Sequence, residues 1–109
     1  MATTYKTLGQ NNPTATTATT LYTTPSSTSA VVSTIQVCNQ AATSATFRLA
    51  VRPTADALAA KHYLLYDTVI PASDGISLTL GISLAAGELL VVYASTSTMS
   101  FSAFGAEFT

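Results

Sequence analysis

The sequence predicts an all-β protein, an antiparallel β-sandwich or jelly roll of about eight short strands with an extended N-terminal arm. Three observations carry this. Residues that suit a pleated, half-buried surface are abundant, with 20 Thr in 109 residues alongside Val, Ile, Tyr and Phe. Apolar and polar residues alternate with period two in several segments. Turn-forming clusters separate those segments at short intervals. One domain is the default at this length, so 1–109 is read as one sandwich. Residues 1–29 supply the Thr-rich arm and the first strands, and 30–109 the main body.

In chain order, strands are expected at Thr3 to Leu8 and Thr19 to Thr23, with irregular chain over 10–18. Ala30 to Cys38 follows. Phe47, Leu49 and Val51 alternate with Thr46, Arg48, Ala50 and Arg52, the pattern of a strand with one face inside. Thr54 to Lys61 has a possible N-cap, an acidic first turn and a basic last turn, and reads as one or two helical turns bridging two strands. Tyr63 to Ile70 comes next. Ile76, Leu78, Leu80, Ile82 and Leu84 alternate with small polar residues as a single long strand, and Glu88 to Ala94 and Thr98 to Phe104 complete the set. Asn11-Asn12-Pro13, Pro25-Ser26-Ser27, Asn39-Gln40, Pro71 to Gly75 and Ala85-Ala86-Gly87 supply the turns.

The charge is low. There are 4 Lys or Arg and 5 Asp or Glu, so 8% of the chain is charged against about 25% in an average soluble domain. From Thr7 to Phe47 no side chain is charged. Four dispersed cations make no phosphate-neutralising footprint, which argues against nucleic acid as a partner. The apolar content of 48% is too high for a chain kept solvated by charge. The longest strictly apolar run, Leu89 to Ala94, is far too short to span a bilayer. The opening residues lack the apolar stretch of a secretory signal, so synthesis in the cytoplasm is expected.

The inventory of chemistry is short and predicts no enzyme, no cofactor and no metal. One His and one Cys exclude multi-histidine sites and zinc-type spacings. The five Gly are scattered and form no phosphate loop. His62, Asp67 and one of 12 Ser fall into no nucleophile-elbow pattern. Cys38 reads as a structural thiol and His62, beside Lys61, as a strand-edge or interface residue. Arg48 and Arg52, four apart in one strand, lie on the same polar face roughly 13 Å apart. With Lys61 and Asp67 near them, they are the candidates for directional contact with a partner. Both faces are apolar in Leu89 to Tyr93 and in Tyr63 to Tyr66. A small sandwich has one interior, so the second face is covered either by the chain's own arm and the 54–61 segment or by another subunit. That adds Tyr63, Leu65, Leu90 and Val92 to the interface candidates. Tyr5, Tyr22, Tyr63, Tyr66, Phe101 and Phe104 are available for an aromatic sugar-binding platform.

Taken together, VVSTIQVCNQAATSATFRLAVRP (Val31 to Pro53), KHYLLYDTVIPASDGISLTLGISLAAGELLVVYAS (Lys61 to Ser95) and the opening YKTLGQ resemble small accessory structural proteins of tailed bacteriophage particles. The likeness is a Thr/Ala-rich strand ladder ending in an LAAGE hairpin and includes no catalytic motif. It implies a non-enzymatic virion protein. Capsid decoration, or cement, is favoured for one short domain: such a protein clamps major capsid subunits from outside, often as a trimer. A tail, baseplate or fibre component with an adhesion or glycan-binding role is the alternative.

Overall fold

The structure is a computed structural model and describes residues 2–109. The strands are β1 (Thr3–Asn11), β2 (Thr19–Thr23), β3 (Ser29–Asn39), β4 (Ala45–Arg52), β5 (Tyr63–Ile70), β6 (Gly75–Leu78), β7 (Ile82–Leu84), β8 (Leu89–Ala94) and β9 (Met99–Phe108), and one 3-10 turn spans Ala60–His62. All pairings are antiparallel; β1 with β9, β2 with β8, β3 with β7 and β6, and β4 with β5 are nested, and β3 with β9 and β4 with β8 join the nested pairs side by side. The chain is thus one long hairpin, turned over between β4 and β5 and rolled into two layers. A five-stranded sheet runs β1-β9-β3-β6 with β7 also on β3, and a four-stranded sheet runs β2-β8-β4-β5. Counted as one interrupted edge, β6 and β7 make this the double Greek key of a jelly roll.

Alternation builds the core. From the four-stranded sheet, Phe47, Leu49, Leu90 and Val92 point inward, and from the five-stranded sheet Val32, Ile35, Val37, Met99, Phe101 and Ala103 meet them. The Phe47 and Phe101 rings touch edge to face, with centroids 6.0 Å apart. Full burial of a side chain of this size stabilises by about 1.5–3 kcal/mol. A buried amide ties the loops at one end. Asn39 Nδ2 donates to the carbonyls of Thr43 (3.0 Å) and Ile70 (3.2 Å), and its Oδ1 accepts from the Ala41 N–H (3.0 Å).

Four details differ from the sequence reading. The N-terminal arm becomes strand further along than expected: β1 runs on to Asn11, β1 and β2 are integral members of the two sheets, and the chain lacks strand structure over 12–18 and 24–28. The apolar alternation of Ile76 to Leu84 is broken in the middle. Gly81 has φ 64°, which turns the chain away from β3, and Leu80 is left 46% exposed. The 54–61 segment forms no α-helix; its last two residues enter a single 3-10 turn, Ala60–His62, too few residues for a helix to nucleate. The last strand passes Phe104 and runs to Phe108. It does so through Gly105, where a Cβ would sit on the backbone carbonyl oxygen of Val31.

Candidate interaction surface

The solvent face of the four-stranded sheet is largely occupied by the chain itself. Positive φ at Asp67 (50°) marks an irregular stretch of β5 and brings this carboxylate beside Arg48. Arg48 Nε donates to Asp67 Oδ1 at 2.7 Å and Nη2 to Oδ2 at 3.4 Å. The guanidinium lies between two rings, 4.0 Å from the Tyr66 centroid and 4.1 Å from that of Tyr93. The hydrogen bond to Asp67 is the main reason Arg48 is held above the ordinary arginine range. Arg52 Nη1 donates to the carbonyls of Asp56 (2.8 Å) and Pro53 (3.3 Å), pinning the β4–β5 connection. Both arginines named as partner contacts are therefore engaged within the chain.

That connection folds over the sheet. Leu58 and Tyr63 pack on Ala50, Leu89 and Val91, a second apolar cluster outside the main core. The apolar outer face of β8 is thus covered by the chain's own 53–62 segment, with β2 alongside rather than on top. His62 is buried, not an edge or interface residue. Its Nδ1 accepts the Ala59 N–H at 3.0 Å, and its Nε2 lies 3.7 Å from Asp56 Oδ2, which Lys61 Nζ approaches to 3.5 Å.

Leu90 and Val92 require correction as interface candidates. Both have no solvent exposure and belong to the core, so they have no surface to offer a partner. Leu65 packs on the same core, because the register shifts in the β4–β5 pairing put it opposite Leu49 and Tyr63 opposite Ala50. What β5 leaves open is Leu64, Tyr66 and Val69.

The solvent face of the five-stranded sheet has a different character. At one end Tyr5, Val31, Phe104 and Phe108 line an open apolar groove, flanked by the hydroxyls of Thr7 and Ser33. Tyr5 is 83% and Phe104 38% exposed. At the other end uncharged side chains pair across strands: Gln10 Nε2 with Ser102 Oγ (3.3 Å), Gln40 Nε2 with Ser100 Oγ (3.3 Å), and the Ser77 hydroxyl with Gln36 Oε1. Cys38 is a free, half-buried thiol on β3.

The five strands of this sheet contain two charged residues, Lys6 and Glu107, and these form an ion pair of 3.0 Å. Tyr22 of the opposite sheet donates to Glu107 at 2.5 Å, joining the layers. The Tyr22 bond, then the Lys6 bond, hold the Glu107 carboxyl below its usual range against the opposing effect of burial. Burial first, and then Glu107, push the Tyr22 phenol well above its ordinary value.

Of the six aromatics named for a platform, Tyr22 and Phe101 are core and Tyr63 half-buried, while Tyr5, Tyr66 and Phe104 are exposed. Phe108, beyond the expected end of the last strand at Phe104, joins Tyr5 and Phe104 in the groove. Its signal was the continuation of apolar residues past Gly105. Among the described residues no group of three or more His, Cys, Asp or Glu is placed to hold a metal ion, and no helix is long and apolar enough to cross a membrane. No family of known proteins matches the chain, and no curated protein matches it.

Proposed function

We propose that the protein is a non-enzymatic structural protein of a virion, of the capsid decoration type, which lays the solvent face of its five-stranded sheet on major capsid subunits. The observation that supports this reading is the neutrality of that face: among the described residues the sheet's two charged strand residues, Lys6 and Glu107, alternate to the side opposite Tyr5 and Phe108 and pair with each other, which leaves hydroxyl, amide, apolar and aromatic groups facing solvent. Such groups lose water at lower cost than Lys or Glu when a neighbour covers them. Many modest contacts then add through the number of copies on a shell. The jelly roll recurs in viral capsid proteins and in lectins, and by itself carries no function.

Immunogold labelling of intact particles, with a heating series on shells carrying and lacking the protein, tests the reading. Label on heads and a higher opening temperature for decorated shells are expected. Label confined to tails, or an unchanged opening temperature, overturns it. The tail or fibre alternative draws on Tyr66, which is 57% exposed and stands edge to face with Tyr63 at 5.0 Å beside Leu58. It predicts glycan-array binding that Tyr66→Ala abolishes.

A further inference from the structure

Strand β1 is an edge strand whose outer side is unpaired. Thr3 to Thr7 are all exposed. The phase of its hydrogen bonds follows from the end of the ladder, where Ala2 N–H donates to Thr109 O and Thr109 N–H to Ala2 O, each at 2.9 Å. In an antiparallel ladder, hydrogen-bonded and non-hydrogen-bonded pairs alternate. Thr4 and Lys6, opposite Glu107 and Gly105, therefore turn their N–H and C=O groups toward β9. Thr3, Tyr5 and Thr7 turn both groups outward, where no strand among the described residues pairs with them. A row of free donors and acceptors on an exposed edge is a template for another strand.

We infer that this edge pairs antiparallel with the β1 of a second copy across a two-fold axis at Tyr5. That register places Tyr5 opposite the Tyr5 of the second copy and Thr3 opposite its Thr7. Every outward group of the three residues then meets a partner, and each pair exchanges both of its bonds. Charge selects the same register. With the axis at Tyr5, Lys6 faces Thr4 of the second copy, whereas an axis at Lys6 sets two cations opposite each other, which is destabilising. The Lys6 charge is in any case matched within its own subunit by Glu107. The same arrangement puts the two most exposed aromatic rings side by side on one face, an aromatic cross-strand pair of the kind that stabilises sheets. Two five-stranded sheets become one continuous sheet. An isologous contact closes after two copies, so the state is a dimer rather than the trimer that the phage resemblance implies. The inference rests on the edge and its hydrogen-bond phase, not on the virion reading.

Light scattering coupled to gel filtration on the wild type and on Tyr5→Pro tests it. The Tyr5 N–H is absent from the β1–β9 ladder, and proline is tolerated on an edge strand where the N–H faces solvent, so the variant keeps its cooperative melting transition and loses the dimer. Hydrogen exchange on the wild type decides independently of that variant. The Thr3, Tyr5 and Thr7 amides are expected to gain protection as protein concentration rises, while the Lys6 amide is protected throughout. A wild-type monomer at all concentrations, a trimer, a dimer that survives Tyr5→Pro in folded protein, or Tyr5 and Thr7 amides that exchange freely at every concentration would overturn the inference.

Discussion

On the four-stranded sheet, Ala50, Leu89 and Val91 lie under Leu58 and Tyr63, and Arg48 is held between two tyrosines by Asp67; on the five-stranded sheet, Tyr5 and Phe104 stand in solvent beside an unpaired strand. The two layers share one core and one pattern of alternation. What separates them is the length of chain available to fold back. The connection between β4 and β5 is long enough to lie across its own sheet, with Arg52 and His62 fastening it. Among the described residues no other connection between strands is as long. Exposed apolar surface on a small domain is where an external partner has most to contribute.

The largest effect is expected where both layers fail together. In Gly105→Val the new side chain meets the Val31 carbonyl, so the β3–β9 ladder cannot form as it stands. A loss of about 4 kcal/mol or more is expected, seen as the absence of a cooperative thermal transition by circular dichroism. Leu90→Ala comes next. Its cost, about 2–5 kcal/mol in denaturant titration, should leave the oligomeric state unchanged, because Leu90 is interior to the subunit. A change in subunit number without loss of stability would return Leu90 to an interface. Leu58→Ser lifts the cover from Leu89 and Val91. About 1–2 kcal/mol is expected, less than full burial of a leucine, together with increased binding of a hydrophobic dye. Dye binding equal to wild type would mean that the two faces do not differ in cover.

The smallest effect is in the pH dependence of the join between the layers. A depressed Glu107 pKa means that its contribution is complete above the ordinary glutamate value of 4.5 and is lost as pH falls through the lower, folded value. A raised Tyr22 pKa means that its contribution is complete below the ordinary value of 10.0 and is lost as pH rises beyond it. Melting temperature measured against pH should therefore fall at both ends. Glu107→Gln should flatten the acid limb and Tyr22→Phe the alkaline one.

Much of the sandwich was legible because period-two alternation survives in strands buried on one side, as Phe47 and Leu49 against Arg48 demonstrate. Where a strand is apolar on both faces, the pattern loses its direction. Leu90 and Val92 point to the core and Leu89 and Val91 to the cover, and nothing local distinguishes the pairs. Alternation also runs straight through Gly81, since a break in pairing need not shift the parity of the side chains. The Lys6–Glu107–Tyr22 join draws on three distant segments, and no spacing rule connects them. The outward N–H of Tyr5 depends on the phase of the ladder with β9, which is set at its far end by Ala2 and Thr109.

Hydroxyl-radical footprinting of the dilute protein and of protein assembled on particles tests the contrast between the two faces most directly. Strong labelling of Tyr5, Phe104 and Phe108 in the dilute protein, protection of all three on assembly, and weak labelling of Leu89 and Val91 in both states are predicted. Equal labelling of Leu89 and Val91 in the dilute protein, or a Tyr5–Phe104 face that stays labelled on the particle, would contradict it.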